Sequence, residues 1–172
     1  MKKNKFLLGA GLICGLLFAA PAAQADTVKD IETIAKAVGF MNGGPSGAVT
    51  MDIVFDAGNP DSVAHADEIA SLTSGGVGSK VKLTGNKVGS PGGATSKIIF
   101  VTRGADSLYG AALDKATANG GLTVSTDPSC LGSGCVLVVQ TQPSVDILVS
   151  TAAASKTGTE FASAFSMMIT KK

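Results

Sequence analysis

Leu122-Thr-Val-Ser-Thr-Asp-Pro-Ser-Cys130-Leu-Gly-Ser-Gly-Cys135-Val-Leu-Val-Val139 carries the reading of the fold. It begins as a short strand, turns through a tight loop bounded by two cysteines, and resumes as an unbroken apolar strand. Gly132 and Gly134 lie between the thiols and give the backbone the freedom to bring the sulfurs together. Downstream, Cys135–Val139 and Val145–Val149 flank Gln140-Thr-Gln-Pro-Ser144, a pattern that predicts a hairpin. Beyond it, Phe161, Ala164, Phe165 and Met168 recur at i, i+3, i+4 and i+7, which predicts a closing helix between Ala152 and Ile169.

Upstream, the periodicity alternates between helix and strand. Val28, Ile31, Ile34, Ala35, Val38 and Met41 share one helical face, predicting a helix over 27–41 stopped by Asn42-Gly-Gly-Pro45. Val49, Met51, Ile53 and Phe55 alternate with Thr50, Asp52 and Val54, as in a strand with one face on the core. A second helix starts near Pro60 and runs to about Thr73. Val81 and Leu83 alternate with Lys80 and Lys82 in a half-exposed strand, and the polar, Gly-rich Gly85–Ser96 reads as a long loop. Ile98–Val101 is apolar throughout, as expected of a strand covered on both faces. Ala105, Leu108, Tyr109, Ala112 and Ala116 mark a third helix, ended by Asn119-Gly-Gly121. The order predicts a single-domain α/β sandwich: a mostly parallel sheet with an antiparallel C-terminal hairpin and flanking helices.

The N-terminus has a different character. Met-Lys-Lys-Asn-Lys precedes the apolar run Phe6–Ala20 and the small-residue site Ala23-Gln-Ala25, so residues 1–25 read as a secretory signal peptide removed before Asp26. Cys14 leaves with it. The mature chain, 26–172, has 147 residues, enough for one domain with a real core. Loss of Lys2, Lys3 and Lys5 takes the 14 basic residues to 11 against 13 acids, a net charge of −2. That balance, with a single tyrosine and no tryptophan, argues against nucleic-acid binding. No remaining stretch is long enough for membrane insertion after the signal is removed. Cys130 and Cys135, in an oxidising compartment, are expected to form a disulfide. A structural staple is the plainer reading and a redox switch the alternative.

Motifs that would carry chemistry are missing. Gly75-Gly-Val-Gly-Ser-Lys80 lacks the phosphate-loop spacing, and neither a dinucleotide fingerprint nor a nucleophile elbow occurs. Two cysteines are too few for a structural zinc site, and Cys-x4-Cys is not the thioredoxin spacing. His65, the one histidine, shares a helical face with Ile69 and Leu72 and reads as a half-buried packing residue, with a pH-sensing or basic role as the alternative. Asp52 and Asp146 interrupt strands and are expected on solvated faces. No catalytic residue, metal site or cofactor is predicted, and a binding protein rather than an enzyme is the expectation.

Leu122–Cys130, Gly132–Val139, Val145-Asp-Ile-Leu-Val149 and the Ala-rich Ala152–Met168 with its Gly158 together resemble the YfiR-like family of small periplasmic regulators of membrane diguanylate cyclases. Ile98–Val101 and Val49–Asp56 are similar to that family's buried and first strands. Its aromatic-Pro pair after the first helix is replaced here by Met41-Asn-Gly-Gly-Pro45. The resemblance implies a periplasmic, commonly homodimeric regulator that binds the periplasmic sensory region of an inner-membrane diguanylate cyclase. It would repress that enzyme and so control cyclic di-GMP, biofilm and exopolysaccharide. Of site residues it implies only the Cys130–Cys135 disulfide. A second resemblance lies in Val49–Ile69, whose Phe-Asp-Ala-Gly-Asn-Pro-Asp-Ser looks like the opening of a transporter substrate-binding domain. It implies a small-molecule binding module built as one lobe of such a protein, with ligand at strand C-termini and helix N-termini.

Overall fold

A computed structural model describes residues 26–172; residues 1–25, read above as a signal peptide and including Cys14, lie outside the described residues. Helix α1, Val28–Gly39, starts at a capping box in which Thr27 accepts from the Asp30 amide and the Asp30 carboxylate accepts from the Thr27 amide. It ends two residues earlier than the pattern suggested, because Met41 leaves the helical face to bridge Phe161. Strand β1 is Gly47–Val54. Helix α2, Pro60–Thr73, has Pro60 in its first turn and Asn59 as N-cap. Then follow β2 (Val81–Val88), β3 (Ile98–Val101), α3 (Tyr109–Ala118), β4 (Leu122–Ser125), β5 (Leu137–Gln140) and β6 (Asp146–Val149). The chain closes with α4 (Thr151–Thr157), α5 (Ser163–Ser166) and β7 (Thr170–Lys171).

The seven strands form one sheet in the order β2-β1-β3-β4-β5-β6-β7. β2, β1, β3, β4 and β5 are mutually parallel, β6 pairs antiparallel to β5, and β7 lies parallel to β6 at the edge. This is the mostly parallel α/β sandwich with an antiparallel hairpin that the alternation predicts, and its strand order, reversing between β1 and β3, makes it doubly wound.

Side-chain alternation sorts the core into two layers. Met51, Ile53, Ile98, Phe100, Leu122, Val124, Leu137 and Val139 face α1 and α2. Val54, Ile99, Val101 and Val138 face α3 and the cysteine loop, together with Tyr109, Ala112, Cys130 and Cys135. Both sheet faces are therefore covered, which explains why β3 is apolar at every position.

Three expectations need correction. The loop read over Gly85–Ser96 is strand in its first third: β2 continues to Val88 in unbroken register with β1, and a short 3₁₀ turn occupies Pro91–Gly93. The predicted closing helix is two short helices separated by Gly158, whose φ of 67° is the left-handed conformation that ends α4. The periodic residues there serve an aromatic cluster instead. Phe165 is 1 % exposed, stacks on Phe40 at 5.3 Å and packs at a tilt against Phe161 at 5.1 Å, a burial worth about 2–3 kcal/mol.

The third correction is Asp52, which is 1 % exposed rather than solvated. Its side chain does point away from Met51 and Ile53, but that face is roofed by residues 91–96. The carboxylate accepts from Thr95 N at 2.7 Å, Ser96 N at 2.8 Å and Asn86 Nδ2 at 2.9 Å, and so fastens the roof to the sheet. Asp146 is exposed, as expected.

Candidate functional site

In a doubly wound sheet the ligand crevice opens at the C-terminal ends of the strands, where neighbouring connections leave in opposite directions. Here that point lies between β1 and β3, and the protein's own side chains lace it shut. Thr102, just past β3, donates its amide and hydroxyl to Val54 O at the end of β1. Ser62, in the first turn of α2, then donates its hydroxyl to Thr102 Oγ1 at 2.7 Å and accepts from the Asp56 amide at 2.9 Å. Asn59 works in both directions: Oδ1 caps the Asp61 amide at 3.0 Å, and Nδ2 donates to Gly104 O at 2.9 Å. At the α2 N-terminus, a position suited to an anion, the Asp61 amide is thus already taken by the Asn59 side chain.

One turn further along α2, His65 is fully buried, not half-buried as the helical face alone suggested. Its ring stands edge-on to Phe100, with centroids 5.7 Å apart. Nδ1 accepts the backbone N–H of Arg103 at 2.7 Å. Nε2 therefore carries the proton and faces the Asp26 carboxylate in a short contact. Asp26 Oδ2 also accepts from Thr126 Oγ1 at 2.8 Å, and Arg103 Nη1 lies 3.9 Å from Asp26 Oδ1. Arg103 Nη2 is 3.6 Å from Glu68 Oε2, one turn along from His65. Four elements converge: the chain before α1, helix α2, and the segments after β3 and β4.

Chemically this cluster is well satisfied. With both ring nitrogens committed, His65 has no lone pair left for a substrate proton. Asp26, His65 and Glu68 bring ligand atoms within 4.8 Å of one another, a spacing that would suit a cation. The polarity opposes one: coordination at Nε2 needs the lone pair that the Nδ1 acceptor role denies it, and Arg103 already places positive charge beside both carboxylates. Asp56 and Asp67 take no part in the cluster: Asp56 closes on the Gly58 amide and Asp67 pairs with Lys87.

Next to the cluster is a cleft of about 180 Å³ over the ends of β4 and β5, walled by Asp26, Asp30, Arg103, Thr126, Asp127 and Gln140. A larger groove of about 570 Å³ lies at the other end, between α4, α5 and β7, and includes Phe161, Ile169 and Lys171. Beside the aromatic cluster, Met167 and Met168 are 86 % and 61 % exposed.

The cysteine loop belongs to the core. Cys130 and Cys135 form a disulfide, with Cα atoms 5.2 Å apart, and both are fully buried under α3. Thr123 Oγ1 donates to Gly134 O, and Gly134 lies so close to the Tyr109 carbonyl that a Cβ there would overlap it. Tyr109 in turn donates to Asp127 at 3.2 Å. The loop is thus a core staple, and only Gly132 and Ser133 are exposed in it. Asp26, Arg103, Glu68 and Thr126 were not singled out by sequence. The one local signal was the position of Asp26 immediately after Ala23-Gln-Ala25.

No protein-family model matches the chain, and no curated protein is similar to it in sequence. Solved structures share its fold. A conserved domain protein from Vibrio cholerae O1 biovar El Tor aligns with 84 % of this chain at 12 % identity and a TM-score of 0.58. The ligand-free, open structure of a substrate binding protein with adhesive properties from Clostridium difficile aligns over 84 % at 12 % identity, with a TM-score of 0.60. An ABC domain in complex with L-Trp from Streptococcus pneumonia gives 84 %, 8 % and 0.56. The chain spans only 58–59 % of the length of these proteins.

Proposed function

We propose that this chain is a non-enzymatic periplasmic binding domain that acts as a homodimer on the external sensory region of an inner-membrane diguanylate cyclase and holds it inactive. The observation that carries this reading is the laced crevice. Ser62–Thr102 and Asn59–Gly104 fill the β1–β3 crevice where the fold class takes small ligands, which favours recognition across an outer surface. Such a protein needs no cofactor; it must only prefer the partner's inactive state, and binding then shifts the population. A buried disulfide suits an oxidising compartment. Among the described residues no helix is long and apolar enough to cross a membrane. Deletion of the gene is expected to raise cyclic di-GMP, and capture from solubilised membranes is expected to recover a cyclase. Unchanged cyclic di-GMP with no cyclase captured refutes the proposal.

The shared fold with a substrate binding protein and with an L-Trp-bound ABC domain favours a second reading, a small-molecule binding module corresponding to one lobe of such a protein. A large, saturable thermal shift by one metabolite would select it.

A further inference from the structure

We propose that His65, Thr126 and Arg103 form a carboxylate-binding site whose resident occupant is the protein's own Asp26, and that a small free carboxylate can take its place. The inference is independent of the cyclase reading. Two donors and one cation, from three separate segments, meet one carboxylate. His65 supplies Nε2–H, Thr126 its hydroxyl at 2.8 Å, and Arg103 its guanidinium at 3.9 Å. His65 can supply only a donor on this side, because its Nδ1 is held as an acceptor by the Arg103 amide. A fixed N–H, a hydroxyl and a cation make a site that selects a negatively charged oxygen pair over a neutral group.

The placement supports a ligand role. The donors sit past the ends of β3 and β4 and on α2, the side of the sheet where doubly wound proteins take ligands. Asp26 is on the wall of the 180 Å³ cleft, so removing its side chain opens the donors to that space. Asp26 also precedes the α1 cap, which fixes the chain from Thr27 onward. Its carboxylate is therefore presented intramolecularly, at an effective concentration on the order of millimolar or above. Free carboxylates bind the intact protein more weakly by the factor that this competition imposes.

The test is Asp26→Gly in the exported chain, titrated with sodium acetate against sodium chloride at equal ionic strength. The variant is expected to melt below the parent protein and to regain roughly 5 °C or more, saturably, at acetate about a hundredfold above its dissociation constant. The parent protein is expected to shift at least tenfold less at the same acetate concentration. Adding Thr126→Val to Asp26→Gly is expected to weaken acetate binding about tenfold. Because the chain has one histidine, its ring ¹⁵N resonances give a second readout. Nε2–H should be the proton-bearing site, perturbed in Asp26→Gly and restored by acetate. If Asp26→Gly is recovered only in the presence of acetate, the dependence of folded yield on acetate measures the same binding. An acetate effect no greater than that of chloride, an equal effect on the parent protein, or an Nδ1–H tautomer overturns the proposal.

Discussion

Replacing Asp52 by alanine takes the acceptor from three donors at once: Asn86 Nδ2 and the amides of Thr95 and Ser96. Hydrogen bonds to a charged group contribute about 1.5–3 kcal/mol each. Thr95 is exposed and Ser96 half-buried, so their amides can recover water when the loop lifts. The lower end applies, and the three bonds together give a loss of about 4.5 kcal/mol, or roughly 9–18 °C in melting temperature for a domain of this size. Asp52→Asn keeps one acceptor oxygen and should cost about 1 kcal/mol. Acid gives a separate handle. Burial pushes the Asp52 carboxyl up, but the hydrogen bonds from Asn86, Ser96 and Thr95 together outweigh it and hold it below the ordinary 3.8. On acidification the unfolded chain takes the proton first. The stabilisation is therefore present above that ordinary value and is lost as the pH falls through the lower folded value. Circular-dichroism melts between pH 7 and pH 2.5 should show a steeper acid loss for the parent protein than for Asp52→Asn. An alanine variant within 2 °C of the parent at pH 7, or equal acid sensitivity in the two proteins, refutes the account of how residues 91–96 are held.

Tyr109 is the sole tyrosine, so ultraviolet titration at alkaline pH reads it directly. Burial, opposed by the Ser129 hydrogen bond and reinforced by the charges of Asp127 and Asp106, pushes its phenol up to about 12. The midpoint should lie near that value, and stability should fall between pH 10 and 12, where the unfolded chain ionises first. Gly134→Ala forces a methyl into the Tyr109 carbonyl, and a loss of about 3 kcal/mol in denaturant melts is expected. Cys130→Ala opens a loop with a sequence separation of five and vacates a buried position. About 2 kcal/mol should be lost through chain entropy, and mass analysis of the parent protein should find no free thiol at Cys130 or Cys135.

The sequence reveals what periodicity controls. α1, β1, α2, β3, β4 and the β5–β6 hairpin follow from apolar spacing and Gly or Pro stops, and together they imply the parallel sheet. The second half of β2 looks like loop in the sequence because an edge strand keeps polar residues such as Thr84, Asn86 and Lys87 without penalty. For Asp52, strand alternation gives the direction of the side chain correctly. Whether that direction leads to water depends on a covering segment more than 40 residues away. The same limit hides the candidate site. Asp26 meets Thr126 across 100 residues of chain and His65 across 39, and no local pattern encodes such a meeting. The seven-residue spacing from Phe161 to Met168 fits one helix on paper, but Gly158 and the pairing of Phe161 with Met41 divide the segment.

The staple joining Cys130 to Cys135 has both sulfurs sealed beneath α3, with Gly134 pressed against Tyr109. A reductant or an oxidoreductase must wait until that layer lifts before it can attack either sulfur. The lifetime of the bond in dithiothreitol is therefore a clock for breathing of the α3 side. A bond that changes only when the domain loosens is suited to holding shape and poorly suited to signalling the redox state of its surroundings.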